Sequence, residues 1–175
     1  MPHADVTAIP EALTKAQTYE YLNEQVEALC FEQRNWVCNL ANSASLLWHA
    51  FHSLPGKSQS VNWAGFYVLN PKAESELILG PFMGKVACQT IKFGRGVCGK
   101  AAADGKSVVV EDVDTFPGHI ACDGDSKSEI VVPIVKDGKV LGVIDIDSTT
   151  ASTFDEEDRK GLEKLATILA DACDW

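Results

Sequence analysis

The chain has 175 residues, of which 46% are hydrophobic and 23% are charged, a composition typical of one globular domain. Its 15 basic and 25 acidic residues give a formal net charge of −10, which disfavours binding to nucleic acid and to anionic membranes. No apolar run approaches the roughly 20 residues of a membrane span, and the first residues lack a secretory signal pattern. We therefore expect an acidic, cytoplasmic protein.

Helical spacing of apolar residues predicts helix over residues 19–54, interrupted near Asn35 and ended by Pro55 and Gly56. Residues 1–18 are expected to be an N-terminal extension without fixed structure, and residues 19–175 a single domain. Five short runs rich in β-branched or aromatic residues predict strands, at 61–69, 77–79, 108–110, 129–135 and 140–146.

The remaining segments complete the predicted fold. Residues 80–105 hold six of the 13 glycines and are expected to be irregular, apart from a short helix starting at Val97. Thr153 and Glu156 predict a capping box for a C-terminal helix, whose buried stripe is Leu162, Leu165, Ala166 and Leu169. Strands joined as hairpins, with helices at both ends of the chain, predict an α+β fold with helices on the faces of an antiparallel sheet.

Three of the six cysteines, Cys88, Cys98 and Cys122, lie in glycine-rich, irregular segments, where functional residues are frequent. Each has a basic or titratable neighbour within three residues, and such a neighbour lowers a thiol pKa. These neighbours are Lys85, Arg95 and His119. The other cysteines, Cys30, Cys38 and Cys173, are expected to be packing residues. No two cysteines have the close spacing of zinc-ligand pairs, which disfavours a structural zinc site.

A second group of candidates lies on the predicted strands. Asp145 and Asp147, two residues apart, should face the same side of the sheet, with Glu129 nearly opposite them across the hairpin. Three such acids either lie in water or hold a cation, such as an ammonium group or a metal. Trp63 and Tyr67 should also share a face, as core residues or as the apolar wall of a small-molecule pocket.

Six segments, taken in order, resemble the free methionine-(R)-sulfoxide reductases, which are stand-alone GAF domains. The segments are Asn62–Tyr67, Leu79–Phe82, Gly84–Cys88, Gly94–Gly99, Gly118–Cys122 and Gly142–Ser148. The resemblance runs from about Trp36 to the C-terminal helix. It implies a GAF fold that is often dimeric, and an enzyme that reduces free methionine-(R)-sulfoxide without a cofactor.

The resemblance also implies roles for the candidate residues. Cys88, Cys98 and Cys122 match the redox cysteines of the family. Trp63 and Tyr67 match its aromatic wall, and the residues that match its substrate-binding carboxylates are Glu129, Asp145 and Asp147. We assign nucleophilic attack to Cys122, which becomes a sulfenic acid, and resolution to Cys88, whose disulfide with Cys122 thioredoxin would reduce. Cys98 stays a candidate for either role.

Two alternatives come from other functional classes. One is a non-catalytic GAF module that binds a small ligand and regulates a partner. The other is a metal site built from Cys88, Cys98, Cys122 and His119. The enzyme is favoured because a sensor has no need of three thiols in loops, and because the chain carries no recognisable effector segment.

Overall fold

A computed structural model describes residues 9–120 and 123–175 of the chain. Cys122, the predicted nucleophile, lies outside the described residues. The helices of the described chain are α1 (Lys15–Cys30), α2 (Trp36–Ser53), α3 (Gly96–Asp104) and α4 (Glu156–Ala172). Its strands are β1 (Val61–Leu69), β2 (Glu76–Gly84), β3 (Thr90–Lys92), β4 (Val108–Val110), β5 (Ser128–Lys136) and β6 (Lys139–Ser148).

The six strands form one sheet in the order β3-β2-β1-β6-β5-β4, and every neighbouring pair is antiparallel. The predicted α+β class, an antiparallel sheet with helices on its faces, is therefore confirmed. Within the described ranges, none of the helices is both long enough and apolar enough to cross a membrane.

Alternation along the central strands sends neighbouring side chains to opposite faces of the sheet. Phe66 of β1 and Ile146 of β6 belong to the larger core, which α1, α2 and α4 cover. Trp63 and Tyr67, also on β1, belong to a smaller core on the opposite face, which includes Cys98 of α3. The candidate functional residues therefore lie on the α3 side of the sheet.

The glycine-rich region is more regular than the sequence predicts. Strand β2 continues past Leu79 to Gly84, and β3 follows it within the segment expected to be irregular. A Cβ atom at Gly80 would lie 3.0 Å from the carbonyl oxygen of Phe66 in the neighbouring strand. This glycine therefore allows two backbones to approach closely within a sheet. A high glycine content alone does not distinguish such a strand from a loop.

Helix α1 begins at Lys15, four residues before the expected start of the domain at residue 19. Thr14 caps the helix in a capping box with Gln17, and the ammonium of Lys15 lies 2.8 Å from carboxylates of Asp155 and Asp158. Residues 15–18 are thus part of a helix that contacts α4.

The predicted capping box of Thr153 and Glu156 is wrong, because α4 is capped by Asp155, whose partner is Asp158. The hydroxyl of Thr153 bonds instead to Ser148 and to the carbonyl of Thr150, 2.8 Å away in each case. The predicted stripe of Leu162, Leu165, Ala166 and Leu169 is buried, as expected.

Candidate active site

Strand register brings five predicted site residues together on one face of the sheet. Trp63 lies opposite Asp147 on the neighbouring strand. Glu129 lies opposite Asp147 on its other side, so the three acids occupy the adjacent strands β5 and β6. Tyr67 follows Trp63 at a spacing of four and points to the same side. The register confirms that Glu129 lies opposite the Asp145–Asp147 pair and that Trp63 and Tyr67 share a face, and it adds that the two groups adjoin.

The acids form one wall of a pocket with about 420 Å³ of empty space, including its open mouth. Residues Gly96–Cys98, at the start of α3, form a second wall. His119, Ile120, Asp123 and Ser126 close it from the long segment between β4 and β5. The pocket thus brings together a thiol, four carboxyl groups and an imidazole.

Burial dominates the electrostatics of the three acids. Glu129 and Asp145 are each only 6% exposed. Burial raises the pKa of Glu129 well above its usual range, and the charge of Asp147 adds to this effect. The pKa of Asp145 is raised by burial and then by Glu129, and that of Asp147 by burial and then by Asp145. The alternative that these acids are solvated strand ends is wrong for Glu129 and Asp145, which are buried beneath α3 and the segment between β4 and β5.

The cluster has few partners of its own. The Cys98 thiol lies 3.9 Å from the Glu129 Oε1 that accepts its hydrogen bond, and the Nε2 atom of His119 lies 3.5 Å from the other oxygen of that carboxyl group. The Oδ1 atom of Asp145 is buried and accepts no hydrogen bond. A buried acceptor without a donor is costly, so this oxygen is suited to a ligand that brings a proton or a positive charge.

Cys98 does not have the lowered pKa that Arg95 was expected to cause. The pKa of this buried thiol is raised well above its usual range, first by burial and then by the charge of Asp145. The negative charges beside the sulfur outweigh the nearby arginine, which is exposed. Cys98 is therefore a weak nucleophile in the unliganded site.

Cys88 lies in the segment between β2 and β3 and is disulfide-bonded. The ammonium group of the neighbouring Lys85 pairs with carboxylates of Asp125 at 2.7 Å and Asp123 at 3.3 Å. These ion pairs hold the Cys88 segment against the segment that follows Cys122. In the described part of the chain the thiols of Cys30, Cys38, Cys98 and Cys173 are free.

The aromatic pair packs behind the carboxylates. The rings of Trp63 and Tyr67 stack with centroids 5.8 Å apart, and Phe82 stacks on the other face of the pair, 5.1 Å from Trp63. A Cβ atom at Gly65 would lie 2.3 Å from the Cβ of Phe82, so glycine at this position is what admits the ring. Trp63 and Tyr67 are 4% and 1% exposed, so they support the pocket from beneath.

Sequence reasoning missed three residues that shape the site. Phe82 extends the aromatic stack, while Asp123 and Ser126 line the pocket and both accept hydrogen bonds from the amide of Asn62. Phe82 lies within a motif that carries the resemblance and Asp123 directly follows another, but no periodicity singles them out. Ser126 has no signal in the sequence, because its position depends on how the long segment folds back over β1.

Comparison with known proteins places this geometry in a family. A family model described as a GAF domain matches residues 39–174. The free methionine-R-sulfoxide reductase of Saccharomyces cerevisiae is 53% identical over 172 residues, which cover 98% of this chain and 94% of the relative. The protein of the same name from Escherichia coli is 43% identical, covering 90% of this chain and 89% of the relative.

A solved structure gives the same result. The X-ray structure of the Neisseria meningitidis free methionine-R-sulfoxide reductase in complex with its substrate has a TM-score of 0.85 and 44% identity, and the match covers 95% of each chain. Sequence, fold and pocket agree over nearly the whole length of these proteins. The chain belongs to the free methionine-(R)-sulfoxide reductase family of GAF domains.

Proposed function

We propose that this protein reduces free methionine-(R)-sulfoxide to methionine in the pocket between α3 and the β5–β6 hairpin. The observation that carries the proposal is the cluster of Glu129, Asp145 and Asp147, of which the first two are buried, with an oxygen of Asp145 that has no hydrogen-bond donor. A free amino acid offers an ammonium group that such a cluster can bind. The relatives that share this fold act on a free amino acid of this kind, by their names.

The acids can do more than hold the substrate. Reducing a sulfoxide requires a proton for the departing oxygen, and a carboxyl group whose pKa is raised can carry that proton at neutral pH. Glu129 and Asp145 both meet this condition, since burial favours their neutral forms. One carboxylate would bind the ammonium group while another serves as the acid.

The sulfur chemistry is assigned to Cys122 and Cys88. In the proposed step the Cys122 thiolate attacks the sulfoxide sulfur, the oxygen takes up a proton and passes to the cysteine, and methionine leaves a sulfenic acid behind. The Cys88 thiol then attacks that sulfenic acid, water leaves, and a disulfide forms. Two observations support these roles: Cys88 is disulfide-bonded, and the raised pKa of Cys98 makes it a poor attacking group.

Recycling needs an external dithiol, for which we propose thioredoxin. The four free thiols of the described chain are compatible with a reducing compartment, which supports a cytoplasmic location and a role in oxidative stress. The homodimer implied by the resemblance stays a prediction, and analytical ultracentrifugation would test it.

An NADPH-coupled assay with thioredoxin and its reductase tests the proposal, using free L-methionine sulfoxide separated into its R and S epimers. We expect turnover of the R epimer and none of the S epimer above background. A parallel assay with dithiothreitol separates the reduction itself from the choice of reductant. Absence of methionine with both reductants would favour the non-catalytic sensor instead.

A further inference from the structure

The pocket holds a second arrangement that the reduction of a sulfoxide does not require. One donor atom each from Cys98, Glu129 and Asp145 lies within 4.8 Å of the other two, and all three side chains are buried. This set differs from the cysteine and histidine site considered from the sequence, because two of its members are carboxylates on the sheet. It joins a soft sulfur to hard oxygens, a mixture that borderline metal ions accept.

The spacing of these atoms suits a tetrahedral ion. Zinc bonds of about 2.3 Å to sulfur and about 2.1 Å to oxygen, at tetrahedral angles, place the sulfur and oxygen about 3.6 Å apart. The Cys98 Sγ and Glu129 Oε1 atoms are 3.9 Å apart, so a shift of a few tenths of an ångström would bring this pair to that separation, and the donor oxygen of Asp145 lies within 4.8 Å of both. The Nε2 atom of His119 lies 3.5 Å from Glu129 Oε2 but outside the three-atom cluster, so water would supply the fourth ligand.

Within the described residues the acids of the site have little compensating positive charge, because Arg95 lines the pocket but forms no ion pair with them. Among the residues that the structure describes, neither lysine nor arginine forms an ion pair with Glu129, Asp145 or Asp147, and the partner of Glu129 is His119. Burial holds the pKa of that imidazole below its usual value, which favours its neutral form. The Oδ1 atom of Asp145, a residue 6% exposed, accepts no hydrogen bond and lines the pocket. An unpartnered oxygen beside a thiol and a second carboxyl group is an independent indication of a cationic ligand.

We infer that Cys98, Glu129 and Asp145 form a binding site for a zinc-class divalent cation that closes the pocket to substrate. On binding, the thiol of Cys98 and any protonated carboxyl group of Glu129 or Asp145 release their protons to water, and metal–sulfur and metal–oxygen bonds form without any change of oxidation state. Mg²⁺ and Ca²⁺ prefer shells made wholly of oxygen, so they are expected to bind poorly here. The site is therefore selective by the chemistry of its donor atoms.

The effect on catalysis rests on the proposed function. The cation would occupy the place of the substrate ammonium group and would hold the thiol of Cys98. Reduction would stop while the metal is bound and resume once a chelator removes it. Zinc would thus act as a reversible inhibitor that competes with free methionine sulfoxide.

The test uses the full-length, reduced protein and Co²⁺ as a spectroscopic substitute for zinc, with excess reductant removed. We expect one equivalent of Co²⁺ to produce a thiolate-to-cobalt charge-transfer band in the near ultraviolet, and one equivalent of Zn²⁺ to remove it. A tenfold excess of Mg²⁺ or Ca²⁺ should leave the band unchanged. The band does not depend on turnover, so its absence is distinguishable from failure of the proposed function.

Variants locate the ligands. Cys98→Ala should abolish the band, Asp145→Asn should weaken Zn²⁺ binding at least tenfold in a competition with a chromophoric chelator, and Cys38→Ala should match the wild type. Cys38 is a suitable control because its thiol is free and exposed. A wild-type protein without the band, or a band that survives in Cys98→Ala, would overturn the inference. The wild-type spectrum decides the question even where a buried variant folds poorly.

Discussion

The carboxyl groups of Glu129, Asp145 and Asp147 lower the stability of the folded protein when they ionise, and they are also the groups proposed to bind substrate. The effect is expected to be largest for Asp145, because it is buried beside Glu129 and one of its oxygens accepts no hydrogen bond. Its pKa in the folded protein exceeds the ordinary value of 3.8, so the folded state holds protons that the unfolded state releases. Stability contributed by this group is therefore present at low pH and is lost as the pH rises above the ordinary value.

The variant Asp145→Asn cannot ionise at this position, so it avoids the loss of stability that Asp145 causes as the pH rises. We expect the variant to be more stable than the wild type at pH 8, by about 1.4 kcal/mol for each unit by which the pKa is raised. The difference should shrink towards pH 3, where the carboxyl group is mostly protonated in both states. Urea unfolding at the two pH values measures it, with the exposed Asp104→Asn as the control. An equal difference at both pH values would show that Asp145 is not held neutral by burial.

The proposed roles of the cysteines can be tested one at a time. Cys122→Ser should abolish the single-turnover release of methionine, because the thiolate itself attacks the substrate. Cys38→Ser, which changes a free and exposed thiol, should leave the yield near that of the wild type. Methionine from reduced protein is counted by chromatography after one turnover. One full equivalent from Cys122→Ser would transfer the nucleophilic role to Cys98.

Resolution is tested separately with Cys88→Ser. This variant should release the first equivalent of methionine at the wild-type level, since Cys88 acts only after the sulfenic acid has formed. Its steady-state turnover with thioredoxin should fall at least tenfold, because the sulfenic acid then lacks its partner. Unimpaired turnover would assign the resolving role to Cys98.

Contacts between helices α1 and α4 depend on one small residue. Gly161 lies in α4, and a Cβ atom there would be 2.3 Å from the ring of Tyr19 in α1. That ring is fixed, because its hydroxyl donates a 3.0 Å hydrogen bond to the buried Asp158. The ring therefore cannot move away without breaking a buried hydrogen bond.

Gly161→Ala measures this packing. In an open helix the change would stabilise by about 1 kcal/mol, but overpacking of a core costs about 1–3 kcal/mol, so we expect a net loss of up to about 2 kcal/mol. In a Tyr19→Ala background the same change should be stabilising, since the ring is gone. Urea unfolding of the wild type, the two single variants and the double variant gives the coupling free energy between the two positions. A stabilising effect of Gly161→Ala in the wild-type background would contradict the described contact.

At this scale the sequence predicts some elements better than others. The apolar run of β1 and the stripe of α4 have clear periodicity, and the structure has them where expected. Strand β3 has three residues, of which two are exposed, so it has no pattern to recognise and forms by pairing with β2. The cap of α4 was misplaced because Thr153 and Asp155 are both good capping residues, and only the folded contacts of Thr153 decide between them.

The candidate site shows the same limit for the molecule as a whole. Spacing along two strands predicted that Glu129, Asp145 and Asp147 would meet, because register follows from the Asp137-Gly138 turn. Their burial did not follow from the two strands, since it depends on α3 and the segment between β4 and β5 covering them. The raised pKa of Cys98 is likewise a property of that assembly, as its nearest charges come from β5 and β6.

The whole molecule also determines which sulfoxides can enter. The buried acids can hold the ammonium of a free amino acid, whereas a peptide nitrogen is a neutral amide. Leaving a buried charge without its partner costs about 3–5 kcal/mol, and each 1.4 kcal/mol is a factor of about ten in rate. Peptide-bound methionine sulfoxide is therefore expected to be excluded.

The most direct measurement compares kcat/KM for free L-methionine-(R)-sulfoxide with that for its N-acetyl derivative, which removes the positive charge and adds little bulk. The account predicts a decrease of at least a hundredfold on acetylation. It also predicts that Asp145→Asn lowers the ratio of the two kcat/KM values, because the ammonium group of the free amino acid loses its carboxylate partner. Comparable kcat/KM values for the two substrates in the wild-type protein would contradict the account.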